Sequence, residues 1–509
     1  MLYSPFPPAP PQARSRPRGL WKGRGTPKHG LDLDHDLRPA KRHRSEDTSD
    51  ESSNDGDYYI VECSPEPSAS VSDRSDRSEM DNNDVNPETE SRLEDWGNLK
   101  ELFRRAAEKY ESDDVTETLS LLRSVLHTCH RFLLLYQDPS ILFAEPHRAP
   151  PPSISAPPPP RKKCKCKESP TAFHALLGTS LFLFGNIIAQ DPSLAFPTEP
   201  SAAATYWLAA LDVFETGESL PSRTSGRGCE AQEDWRMAVV WGRTLLCVAD
   251  AALTLQCATP PSPPPLVLEP QWPSPAASPF AAIAMRRLPT SRRIVLTTAV
   301  PHDLLLLAVD HFTRGIFHMP HTPAAAPGGL PVPFSRSSEL FTIAREVLAL
   351  AERLPAAAER VRWATWADGV LQQIQSQTDV VARIRGRCWL VVGTAHVEDI
   401  EAMAEARGWG EAPESQTSGV LDSEEAEEAR EGLERAVDFF ERARTEVGEE
   451  QDDERRAEAE ELQAFLVEGL LTLANFTKEE GKREALYQRA QLVGGDALEG
   501  MEVDDSKSY

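Results

Sequence analysis

The chain has 509 residues, 43 of them proline, and a formal net charge of -26. That negative excess excludes a general nucleic-acid binder, because only local basic patches would offset phosphate repulsion. Eight cysteines without a CxxC pair or a disulfide-like spacing point to a reducing, intracellular compartment.

Residues 1–95 read as disordered. The first forty are rich in Pro and Arg and hold no apolar core, so a signal peptide is not expected. Lys41, Arg42, His43 and Arg44 form a basic cluster that reads as a nuclear localisation signal, against the plainer reading of a solvated charge run. From Ser45 to Asp95 the chain is dense in Ser, Asp and Glu and too poor in large apolar residues to offset its ordering entropy. Ser45, Ser49 and Ser78 each precede an acidic residue, a pattern that suits acid-directed phosphorylation.

An N-terminal helix pair is expected over 96–137. Its first helix carries Leu99, Leu102, Phe103 and Ala106. Asp113 or Asp114 caps the second, whose apolar face runs from Leu119 to Leu133. A Pro-rich and basic linker, 138–170, contains Arg161 to Lys167. Helical repeats follow over 171–258, as helices near 171–189, 201–216 and 231–257. Phe173 to Ala189 is the most apolar run, but it is short of the ~20 residues of a membrane span and reads as a buried helix. A second Pro-rich linker spans 259–280. Repeats resume over 281–404, where Pro301 and Asp303 suit the first turn of a helix. Arg387 to Val392 is short and apolar, yet its neighbours make it helical. A linker, 405–420, precedes C-terminal repeats over 421–493 and an acidic tail, 494–509. The expected fold class is all-α: an irregular tetratricopeptide-like helical repeat array behind a disordered N-terminal region.

The repeat reading rests on spacing. Leu433, Ala436, Val437, Phe440 and Ala443 share one helical face, and Ala436-x3-Phe440-x2-Ala443 sets one aromatic knob between two small residues. Ala344-x3-Leu348-x2-Ala351 repeats this pattern, with Pro355 ending the helix, and Ala203-x3-Trp207-x2-Ala210 repeats it again. Trp363-x2-Trp366-Ala367-x2-Val370 has the first-helix pattern. So do His174-x2-Leu177-Gly178-x2-Leu181 and Ala238-x2-Trp241-Gly242-x2-Leu245, where a small residue follows a bulky one at a close crossing. The competing reading is a generic helical bundle.

Candidate chemistry is sparse. His127-x-Cys129-His130 is the best metal lookalike but has no evident fourth ligand. Cys164 and Cys166 sit among lysines, which lower a thiol pKa, although a flexible basic linker explains them as well. His302, His311, His318 and His321 come with no matching nucleophile or carboxylate motif. The motifs GxxxxGK[ST], HExxH and GxSxG are absent from the sequence. No catalytic residue, cofactor or metal is expected.

Three stretches together resemble a known family. They are Lys41–Arg44 running into SEDTSDESSNDGD, the Leu-rich pair near 99–135 ending in HTCHRFLLL, and LTLANFTKEEGKREALYQRAQ within 421–493. This is similar to the fungal enhancer of translation termination family, which is related to a nuclear negative regulator of a prolyl dioxygenase. The resemblance implies a non-enzymatic nuclear scaffold required for correct translation termination and involved in hypoxic gene expression. It implies protein partners: a 2-oxoglutarate and iron dependent prolyl dioxygenase, or the termination machinery. Direct nucleic-acid or membrane binding is not expected. The alternative is a generic helical-repeat co-chaperone or assembly adaptor, against which the scarcity of Lys, Arg and Asn in 171–189 and 231–257 counts.

Overall fold

The computed structural model describes residues 87–142, 168–220, 234–258, 278–287, 294–321, 334–376, 378–406, 421–445 and 453–495. These residues form thirteen α-helices and two short 3-10 turns, with no strand among them. In order the helices are α1 (Pro87–Glu111), α2 (Val115–Leu135), α3 (Ala172–Gln190), α4 (Ala203–Glu218) and α5 (Trp235–Ala258). Then come α6 (Pro279–Arg286), α7 (Pro301–His318), α8 (Arg336–Ala351) and α9 (Ala357–Leu371). The last four are α10 (Asp379–Ala406), α11 (Glu424–Thr445), α12 (Asp453–Asn475) and α13 (Glu480–Gly494).

Local chemistry sets most boundaries. Asp114 caps α2 by accepting from the Glu117 amide at 3.1 Å, while its neighbour Asp113 takes the left-handed turn at φ 61°. Ser278 and Ser335 cap α6 and α8 in the same way. Pro301 opens α7, where its missing N–H costs nothing. Pro355 falls in the turn between α8 and α9. Two differences from the predicted elements stand out. First, α1 begins at Pro87, ahead of the expected start near Trp96. Second, the apolar stretch 281–318 holds two helices, α6 and α7, with a turn at Val295–Ala299 before Pro301. Arg387 to Val392 lies within α10.

Consecutive helices pack as neighbours in repeat fashion: α3 on α4, α8 on α9, α9 on α10, α10 on α11, α11 on α12 and α12 on α13. Helix α5 pairs with α7 across α6, which instead meets α2 and α4. Close crossings recur where a glycine lies under an aromatic ring. Gly178 of α3 lies under Phe214 of α4. A Cβ on Gly242 of α5 would stand 2.7 Å from Phe312 of α7, and one on Gly386 of α10 would stand 2.5 Å from Phe440 of α11. Any side chain at these points would force the helices apart.

Two apolar clusters result. One runs through α1 to α10, and the other gathers α10 to α13. Helix α10 serves both, placing Val381, Ile384, Cys388 and Val392 in the first and Ala382, Leu390, Val397 and Ile400 in the second. Helices α3 and α5 are long and apolar enough to cross a membrane by length and composition. They are instead core helices, with 83% and 72% of their most apolar windows buried in protein.

Candidate binding surface on α8, α10 and α12

Helix α10 carries Arg383, Arg385 and Arg387 in an alternating run. At about 100° per residue, Arg383 and Arg387 share one face while Arg385 looks the other way. Arg385 turns toward α9. Its Nε donates to Asp368 Oδ1 at 2.6 Å, and Asp368 also accepts from Trp389 Nε1 (3.2 Å) and Gln372 Nε2 (2.7 Å). Asp368 is 1% exposed, so this carboxylate is buried but well supplied with donors. The Arg385 guanidinium also lies 4.3 Å from the Phe439 ring centroid of α11.

The other face meets α8 and α12. Arg387 Nη2 donates to both oxygens of Glu352, at 2.7 and 2.8 Å, and its guanidinium lies 5.2 Å from the Phe465 ring of α12. Arg383 pairs with Glu458 of α12 at 3.2 Å. Arg345 of α8 stands beside them. Burial first, and then the nearby guanidiniums of Arg387, Arg243 and Arg383, push its pKa down, with Glu346 opposing. Glu346 is itself engaged, accepting from Arg243 Nε at 2.8 Å, and Arg345 makes no ion pair among the described residues. Glu468 of α12 is exposed to solvent, and burial and then the nearby Glu352 push its carboxyl up.

Arg243 of α5 is 2% exposed and stands 2.8 Å from Glu339 Oε1 of α8, itself 3% exposed. Burial pushes the Glu339 carboxyl up, against the pull of Arg243. This buried pair ties α5 to α8 and fixes the wall that carries Arg345.

The sequence-predicted packing residues lie in the helix interfaces. Ala436, Phe440 and Ala443 are buried on α11, with Phe440 stacked on Phe465 at 5.8 Å. Ala344, Leu348 and Ala351 are buried on α8, Trp363 is buried on α9, and Trp366 is half-buried. Trp207 lies over Gly185 and donates from Nε1 to Asn186 Oδ1 at 3.1 Å. Lys41, Arg42, His43 and Arg44 lie outside the described residues, as do Cys164 and Cys166.

The histidines do not assemble. His302 Nδ1 is 3.6 Å from Glu359, His311 stacks on Trp241 at 4.0 Å, and His318 meets the edge of Phe317. Cys129 and His130 are buried while His127 is exposed. No group of three or more His, Cys, Asp or Glu able to hold a metal occurs among the described residues. None of the arginines on this surface was singled out as a site in the sequence reading, where Arg387 enters only as the start of the run 387–392. Their sequence trace is RIRGR, Arg383 to Arg387, which composition alone does not separate from any charged helix face.

The described fold is that of an all-α protein with repeat-like packing of neighbouring helices. No protein-family model and no curated protein matches the chain. Among solved structures it is similar to one described as the hypoxic regulator of sterol synthesis Nro1, a nuclear import adaptor. The identity is 14%, over 83% of this chain and 94% of that one, with a TM-score of 0.43. Two further crystal forms of the S. pombe nuclear import adaptor Nro1 are similar at 12% identity. They cover 82% of this chain and 97% of that one at a TM-score of 0.41, and 86% and 96% at 0.42.

Proposed function

We propose that this protein is a non-enzymatic nuclear adaptor that grips a partner's polypeptide segment on the arginine-bearing surface of α8, α10 and α12. The observation that carries the reading is Arg345. It is half-buried, has no ion pair among the described residues, and stands on the helix whose C-terminal Glu352 pairs with Arg387 of α10. Such an arrangement is costly in isolation and rewards an incoming hydrogen-bonding, negatively charged group. Stacked helices supply the rest of an extended contact surface.

The process follows the family resemblance of Lys41–Arg44, the 99–135 pair and the 421–493 block. The adaptor supports correct translation termination and hypoxic gene regulation. Its partner is a 2-oxoglutarate and iron dependent prolyl dioxygenase or a component of the termination machinery.

The test is a deletion strain carrying a dual stop-codon reporter, rescued by the intact chain or by its Arg345→Glu variant. Readthrough is expected to rise on deletion, to fall on rescue by the intact chain, and to stay high with the variant. Affinity purification with mass spectrometry on both forms identifies the partner lost. Unchanged readthrough on deletion removes the termination role. An unchanged partner set in the variant removes this surface as the binding site.

A further inference from the structure

Helix α6 stands apart from the pairing that surrounds it in sequence. Its neighbours along the chain, α5 and α7, pack on each other, while α6 lies against α2 and α4. Its eight residues make about two turns, too few for a helix to hold itself in water. The helix therefore depends on the slot in which it lies.

The slot grips one face. Phe280 and Ile283, one turn apart, are buried, and Phe280 meets the edge of the Tyr206 ring of α4 at 5.4 Å. Arg286 and Arg287 follow on the same side of the helix. Helix α2 has no basic residue in its last turn, so its final carbonyls present the negative end of the helix without a cation of their own. Arg286 supplies one. Its Nη1 donates to the Gln137 carbonyl at 2.9 Å, and its Nη2 donates to the Tyr136 carbonyl at 2.7 Å and to the Leu133 carbonyl. Arg287 Nε donates to Asp212 Oδ2 of α4 at 2.8 Å, and both side chains are only 14% exposed. The opposite face, with Ala284 and Met285, is open to water.

Every one of these anchors belongs to a short sequence, Phe280-x2-Ile283-x2-Arg286-Arg287, and none needs the covalent link to α5 or α7. We propose that the slot between α2 and α4 is a docking site for a short helix with two large apolar residues one turn apart followed by paired arginines. Helix α6 fills it in cis until such a segment from a partner displaces it. The α2 carbonyls and the half-buried Asp212 carboxylate select for guanidiniums and reject an acidic segment. Tethering holds α6 at an effective concentration on the order of millimolar, so the slot is closed to weak free segments and yields to tighter ones. This site is separate from the arginine-bearing surface of α8, α10 and α12 and does not depend on that reading.

Hydrogen exchange of the intact chain, read by mass spectrometry, is the first test. The probe is a peptide of residues 276–290 with norleucine at the exposed position 285, which marks its mass. Without the probe, amides 282–287 should exchange about tenfold or more faster than those buried in α4, because α6 can leave while α4 stays folded. With excess probe, 282–287 should exchange faster still, while 133–137 and α4 stay protected. The second test uses a fluorescein-labelled form of the probe, read by anisotropy. A full-length chain with Arg286→Glu and Arg287→Glu should bind it about tenfold or more tightly than the intact chain does, because the tethered competitor is weakened. Adding Asp212→Asn should reduce that binding about tenfold, and a probe with both arginines changed to glutamate should not bind. Exchange of 282–287 in step with α4 overturns the proposal and makes α6 a fixed part of the core, whether or not the double variant folds. Equal affinity of the intact and double-variant chains, the latter folded by circular dichroism, overturns it too, as does equal binding of the glutamate probe.

Discussion

Phe440 shows what one residue contributes to this array. It is wholly buried, stacked on Phe465, and lies over Gly386 where no Cβ fits. Phe440→Ala should cost roughly 3–5 kcal/mol by removing a packed ring. Gly386→Ala should cost about 1–3 kcal/mol by overpacking the same crossing. Glu441→Ala breaks only an exposed pair with Arg489 and should cost about 1 kcal/mol or less. Denaturant unfolding of the three variants checks this order, and equal midpoints would show that the crossing is not packed as described. His174 adds a pH dependence. Burial pushes its pKa down to about 4, with Asp138 opposing and Arg286 assisting. In the unfolded chain it titrates near 6.5, so between those values the unfolded state holds more protons and stability falls with falling pH. At about 1.4 kcal/mol per pH unit, His174 should cost about 2 kcal/mol on going from pH 6.5 to 5. His174→Gln should flatten that limb of the stability profile.

Between elements, the decisive contact is the buried Arg243 of α5 against Glu339 and Glu346 of α8. Removing one partner of such a cluster leaves an uncompensated charge, so Arg243→Met should cost about 3–5 kcal/mol. The triple change with Glu339→Leu and Glu346→Gln restores a consistent interior and should recover most of that loss, because an ion pair replaced by apolar packing is often neutral. Thermal melts of the two variants test this. No recovery in the triple variant would mean that the charges specify the α5–α8 alignment. The consequence reaches the proposed binding surface, since α8 also carries Arg345.

Across the molecule, α10 is shared by both apolar clusters. A chain ending at residue 420 lacks α11 and α12, which would bare Leu390, Val397 and Ile400 to water. Point variants in the intact chain are therefore the sounder test of function, and the truncated chain should aggregate, as light scattering would show. Location is a separate matter of sequence. Replacing Lys41, Arg42 and Arg44 with Ala should lower nuclear accumulation of a tagged chain, and a variant that stays fully nuclear moves the signal elsewhere, with Arg161–Lys167 next to test.

Helical periodicity was legible because it is local. The 3.6-residue repeat of Leu433, Ala436, Val437, Phe440 and Ala443, the cap at Asp114 and the prolines at 301 and 355 are each decided within one or two turns of chain. The small residues Gly178 and Gly242 were legible as close crossings for the same reason. Their partners Phe214 and Phe312 were not, because a knob on another helix is set by which helices meet. Gly386 was passed over in the sequence although its knob, Phe440, was named. The sequence by itself determined that the chain is helical, where most helices begin and end, and which stripes are apolar. Tertiary structure alone decided that α5 pairs with α7 across an intervening helix. It also decided that Arg385 spends its charge on buried Asp368 while Arg345 has no ion-pair partner among the described residues. The interaction energies of charged groups depend on distance and burial across elements far apart in sequence, and no local pattern carries that information.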